Sequence, residues 1–149
     1  MKITICGSIN FTPEIIKIKE KLESNDHQVN IPYFVRKIMN GEYSYEEYIK
    51  EKKDIGDINI RKSTDTDLIK RYWNLIKDSD VILVLNLSKK GIEGYIGGSS
   101  LMEMGFAYVM DKKIYLYNPI PVKSQQMHYI DEIIDLKPIV LNGDLNKIK

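Results

Sequence analysis

Two rhythms of apolar residues run along this chain. Short, β-branched runs break off at turn residues, and longer stretches repeat their apolar positions every three or four residues. Met1–Cys6 (MKITIC), followed by Gly7-Ser8, reads as a first strand ending in a tight turn. Thr12-Pro13-Glu14 opens a helix, with Thr12 as its N-cap and Pro13 in its first turn. Ile15, Ile16, Ile18 and Leu22 carry that helix to about Glu23. Gln28–Ile31 reads as a second strand, and FVRKIMNG as a short helix ending at Gly41. YSYEEYIKEKKDIG reads as another helix, ending at Gly56, and 64–77 as a third. Asp80–Asn86 (DVILVLN) is almost wholly apolar, the mark of a strand covered on both faces in a parallel sheet. A glycine-rich loop, 91–98, precedes a helix from about Ser100 to Met110. Lys113–Asn118, a helix over 124–135 and Pro138–Leu141 complete the series.

Strands alternating with helices predict an α/β domain around a central parallel sheet. The 149 residues suit a single domain, 1–149, with a polar, tyrosine-rich helical insertion at about 33–62. In such sheets ligands bind beyond the carboxyl ends of the strands. That rule gathers Gly7–Asn10, Asn86–Ser100 and Asn118–Pro121 at one edge.

Composition narrows the function classes. With 43% apolar and 29% charged residues the chain is globular, and its net charge of +1 gives no pull toward nucleic acid or membrane. No apolar stretch approaches a membrane span and no signal-peptide pattern opens the chain. Cys6 is the single cysteine, which points to a reducing, cytoplasmic setting and reads as a small buried residue. His27 and His128 are isolated and there is no Walker lysine, so neither a metal nor a cofactor is expected.

One segment stands out as candidate chemistry. GYIGGSSLMEMGFAY, 94–108, places a lone acid, Glu103, in an apolar run behind a Gly-Gly-Ser-Ser turn. Ser100 and Glu103 fit a capping box, with Ser100 as N-cap. Against that reading, Gly97-Gly98 lets backbone approach a ligand, and the amides of Ser99 and Ser100 can face an anion or a sugar oxygen. Ser99 and Glu103 also share a helical face at i and i+4. A single glutamate can attack the anomeric carbon of a sugar to give a glycosyl-enzyme, chemistry that needs an ionised carboxylate. A helix N-terminus would favour that ionised state.

Cys-Gly-Ser-Ile at 6–9, Ser79-Asp80-Val81-Ile82, and the run from Gly97 to Tyr108 containing Glu-Met-Gly-Phe-Ala-Tyr resemble the nucleoside 2-deoxyribosyltransferase family. That family includes 2′-deoxynucleoside 5′-monophosphate N-glycosidases. The resemblance covers nearly the whole chain in motif order and is weakest over 33–62. It implies a Rossmann-like, flavodoxin-like five-stranded parallel sheet between helices, and places the family's glutamate nucleophile on Glu103. It places the nucleotide-binding first loop on Gly7, Ser8, Ile9 and Asn10, and the second, phosphate-holding loop on Gly97, Gly98 and Ser99. It also implies an enzyme of nucleotide metabolism acting on a nucleoside or nucleotide. Family members form dimers or larger homo-oligomers, a neighbour's loop (here about Asn118–Met127) completing the pocket.

Two positions depart from the family pattern. Eight residues before Asp80, where the family has an aspartate that assists the leaving base, this chain has Tyr72. Tyr72 is thus the second catalytic candidate, although beside Trp73 it also reads as core packing. Asn10 stands where the monophosphate branch often has a basic residue. Asn86 and Asn118 close strands at the ligand edge, as candidate ligands or as backbone partners. Tyr43, Tyr45 and Tyr48 suit a base-stacking or an exposed amphipathic surface, and Lys89-Lys90 a solvated loop able to attract phosphate. The expected activity is cleavage or transfer of an N-glycosidic bond through Glu103. Its rival is a non-catalytic nucleotide-binding or sensing module on the same fold, and a third reading makes the domain an assembly partner only.

Overall fold

The computed structural model describes residues 1–54 and 67–149. Five parallel strands form one sheet: β1 (Lys2–Gly7), β2 (Gln28–Asn30), β3 (Val81–Leu85), β4 (Lys113–Leu116) and β5 (Ile139–Val140), in the order β2-β1-β3-β4-β5. Helices α1 (Thr12–Glu23), α2 (Tyr33–Met39), α3 (Tyr45–Asp54), α4 (Leu68–Lys77), α5 (Gly98–Val109) and α6 (Ile130–Asp135) intervene. The sheet is the doubly wound α/β architecture expected from the alternation of patterns. The proposed helix end at Gly56, and the start of the helix at 64, lie outside the described residues.

Strand periodicity divides the core in two. Ile3 and Ile5 of β1 join Val81, Leu83 and Leu85 of β3 against Ile15, Ile18 and Leu22 of α1. Cys6, Ile82 and Val84 point the other way, toward Tyr72 and Ile76 of α4 and Met104 and Ala107 of α5. All five residues of β3 are buried, as its unbroken apolar run requires of a central parallel strand.

Helix starts depart from the sequence expectation at Thr12 and in the last helix, expected over 124–135 but formed only over Ile130–Asp135. Thr12 does not cap α1; its hydroxyl donates backward to the Ile9 carbonyl (2.6 Å), and Phe11 occupies the cap position. Asp67 caps α4 by accepting from the Lys70 amide (2.9 Å). Among the described residues no helix is long and apolar enough to cross a membrane.

Candidate active site

The chain leaves β1 toward β2 on one side and passes to β3, β4 and β5 on the other. The strand order therefore reverses between β1 and β3, where a crevice opens beyond their carboxyl ends. A cavity of about 370 Å³ lies there. Gly7 makes the close approach possible: a Cβ at this position would stand 3.3 Å from the Leu85 carbonyl oxygen of β3.

Glu103 lies on the cavity wall, the sixth residue of α5. The helix begins at Gly98 with Gly97 in the cap position and no side-chain cap, so Ser100 is inside the first turn. The capping box expected from Ser100 and Glu103 does not form, because the double glycine turns the chain into the helix three residues earlier. Glu103 is partly exposed, toward the cavity, while protein surrounds the rest of the carboxyl. That burial pushes its pKa from the usual 4.5 up to about 8, against the smaller opposing effect of a hydrogen bond from the Cys6 thiol. The ionised state expected from a helix N-terminus is thus overruled: the dipole acts within the first turn, and Glu103 is beyond it.

The floor is built from β1 and α4. Cys6 is fully buried, and burial first, then the charge and hydrogen bond of Glu103, push its thiol pKa well up. Tyr72 borders the cavity, yet its hydroxyl donates to the Ile5 carbonyl. Burial and the neighbouring Cys6 and Glu103 raise the Tyr72 pKa well above 10, with Arg36 pulling weakly the other way.

One part of the cavity is polar. Gly7, Ser8, Gly97, Gly98, Ser99 and Ser100 line it, and the uncapped amides that open α5 lie there. Gly98 is exposed and lines the cavity, and a Cβ there would meet open space. Lys89 reaches the same part, its Nζ donating to Ser8 Oγ (2.8 Å) and lying 5.3 Å from the centre of the Tyr95 ring. Its position is set by a two-residue hairpin in which Lys89 and Ile92 exchange backbone hydrogen bonds (both 3.0 Å) across Lys90 and Gly91. Both turn residues have positive φ (54° and 73°), the turn geometry that matches strand twist.

Another part is aromatic. Tyr33 and Phe34 of α2 and Tyr48 of α3 line it, with ring centres 5.3 Å (Tyr33–Phe34) and 5.5 Å (Phe34–Tyr48) apart. Arg71 of α4 holds its guanidinium 4.9 Å from the centre of Tyr33.

Of the residues singled out in the sequence, Gly7, Ser8, Ile9, Tyr48, Tyr72, Lys89, Gly97, Gly98, Ser99, Ser100 and Glu103 meet at this cavity. Asn10, Asn86 and Asn118 are not among its described lining. The Asn10 amide donates to Ser8 Oγ (3.3 Å), shaping the loop. Asn86 Nδ2 donates to the carbonyls of Asn118 (3.1 Å) and Pro119 (3.0 Å), and its Oδ1 accepts from the Asn118 amide (2.8 Å). Asn118 Nδ2 donates back to the Asn86 carbonyl (3.0 Å), so the pair clasps the ends of β3 and β4 together. Sequence reasoning missed Arg71, the bond between Cys6 and Glu103, and the placement of Lys89 in the wall. Strand parity was the available signal for Cys6, since an even position on β1 faces α5.

No protein-family model and no curated protein matches the chain. Among solved structures it is similar to a 2-deoxyribosyltransferase from the psychrotolerant bacterium Bacillus psychrosaccharolyticus. The identity is 18%, over 78% of this chain and 71% of that one, with a TM-score of 0.49. It is also similar to the CMP N-glycosidase of Clostridium botulinum, at 14% identity over 94% of this chain and 85% of that one, with a TM-score of 0.46.

Proposed function

We propose that this protein cleaves or transfers the N-glycosidic bond of a nucleoside or nucleotide, with Glu103 as the nucleophile. The observation that carries the reading is the setting of Glu103: one desolvated carboxyl in a cavity whose lining holds both glycine-serine loops and aromatic rings. A sugar with polar substituents joined to a flat base suits that mixed lining. The motifs around Cys6–Ile9 and Gly97–Tyr108 support the same reading.

Glu103 in its ionised form attacks C1′, the base departs, and water or a second base resolves the glycosyl-enzyme. With a pKa of about 8 the carboxyl is largely neutral at pH 7, so the reactive fraction grows as pH rises. The amides opening α5, Ser99 and Lys89 hold the sugar side and any 5′-phosphate. Tyr72 supports the floor through the Ile5 carbonyl. The domain works as a homo-oligomer in this reading, the segment Asn118–Met127 meeting a neighbour; Val122 within it is 86% exposed.

The test is base release from deoxy- and ribonucleosides and their 5′-monophosphates, with and without a second free base, comparing wild type with Glu103→Ala. Release that disappears in the variant supports glycosyl-enzyme chemistry. One observation favours the rival binding module: the Tyr72 hydroxyl already has a backbone partner and offers nothing to a leaving base. Nucleotide binding that is equal in both proteins, with no base released by either, would decide for that rival.

A further inference from the structure

Among the described residues lining the cavity, Glu103 is the one carboxyl. Once it acts as nucleophile, no second carboxylic acid among them remains to assist the base. Tyr72 is bound to the Ile5 carbonyl, and Lys89 lies in the polar part against Ser8. The other cation in the wall is Arg71, in the first turn of α4 and directly before Tyr72. The guanidinium lies 4.9 Å from the centre of the Tyr33 ring, and Phe34 meets that ring edge-on. Neither ion pair among the described residues involves Arg71.

We propose that Arg71 receives the departing base, and that this base is oxo-substituted, with a carbonyl oxygen beside a ring nitrogen. The inference rests on the reading of Glu103 as nucleophile. A guanidinium stays protonated, so it assists by holding negative charge rather than by giving up a proton. As the Glu103 Oε–C1′ bond forms, the C1′–N bond breaks and its electron pair passes onto the base. The charge spreads to the carbonyl oxygen, where the N–H fork of Arg71 stabilises it, and a proton from water then neutralises the freed base. Two adjacent acceptors fit that fork; adenine sets an amino donor where hypoxanthine sets an acceptor, and faces Arg71 with like polarity. The same residue thereby contributes to rate and to choice of base.

The experiment compares wild type, Arg71→Gln and Arg71→Lys on three substrates: deoxyinosine, deoxyadenosine and 4-nitrophenyl 2-deoxyribofuranoside. The nitrophenolate departs without help. Wild type should prefer deoxyinosine to deoxyadenosine by about tenfold or more. Arg71→Gln should lower kcat on deoxyinosine by about 10²-fold, and on the nitrophenyl glycoside by less than about threefold. Arg71→Lys, which keeps the charge without the fork, should fall between them. Equal losses on deoxyinosine and the nitrophenyl glycoside, or a wild-type preference for deoxyadenosine, would overturn the assignment. A wild type that cleaves none of the three, either as such or as their 5′-monophosphates, would instead overturn the reading of Glu103 itself.

Discussion

Cys6, sealed beneath the cavity, and Glu103 act on each other's ionisation: the thiol lowers the pKa of the acid, and the acid raises that of the thiol. The thiol favours the ionised form of an acid that burial otherwise holds neutral. Removing it with Cys6→Ala should therefore move the inflection of the pH–rate profile upward from about 8, whereas Cys6→Ser keeps a donor and should leave it at or below the wild-type position. The check is kcat/KM for base release from pH 5.5 to 10. An Ala variant whose inflection matches wild type would remove Cys6 from any role in tuning the acid.

Glu103 also makes stability depend on pH, with a defined sign. Its pKa is about 8 in the folded protein and near 4.5 when exposed, so between these values the folded state holds a proton that the unfolded chain has lost. Stability from this group is complete below pH 4.5 and declines as pH rises toward 8. Glu103→Gln abolishes the dependence. Compared with wild type, the variant should gain about 2 kcal/mol between pH 5 and pH 8.5, a figure reduced from the full shift because the carboxyl is partly open to the cavity. Urea unfolding at the two pH values measures it, and a constant difference between the two proteins would contradict the shifted pKa.

Tyr72→Phe separates support from chemistry. The hydroxyl donates to a buried strand carbonyl, so its loss should cost about 1–2 kcal/mol of stability. Base release per folded molecule should remain within about threefold of wild type, because Tyr72 does not touch the leaving group in this arrangement. A loss of two orders of magnitude in kcat at unchanged stability would restore Tyr72 as the assisting residue.

Two glycines of the same loop serve opposite ends. A Cβ at Gly94 would lie 2.7 Å from the Pro119 carbonyl, and its φ of +69° disfavours any side chain, so Gly94→Ala should destabilise by about 2 kcal/mol. Gly98 opens into empty space at the start of α5, and Gly98→Ala should leave thermal stability within about 0.5 kcal/mol. Its added methyl group stands in the cavity, so nucleotide affinity should fall by about tenfold. Calorimetric binding alongside melting curves tests both. Unchanged binding by Gly98→Ala would place the ligand elsewhere.

The alternation of patterns made the sheet legible. The unbroken apolar run of β3, β-branched residues in β1 and the turn residues after each strand all pointed to the observed order of elements. The polar part of the site was legible for the same reason, because a parallel sheet fixes which loops share an edge. What sequence concealed was orientation. Asn86 and Asn118 lie at the right edge, yet they face each other, since each strand end left backbone groups that the other side chain could satisfy. Arg71 was hidden by its place on a helix whose apolar positions alone define the core face. The ionisation of Glu103 depended on enclosure, and a helix position in sequence carries only the dipole.

The asparagine clasp has a consequence for how such a site changes over time. With β3 and β4 tied at their ends, the segment between Asn86 and Gly97 is mounted on a fixed base, closed at its root by the bond from the Tyr95 amide to the Leu87 carbonyl (3.0 Å). Its tip at Lys90-Gly91 is exposed. Insertions there can lengthen the reach of Lys89 or swap it for another group while the acid stays where it is. The architecture thus separates a replaceable piece of the cavity wall from the fixed seat of Glu103, so the lining can change without the fold being renegotiated.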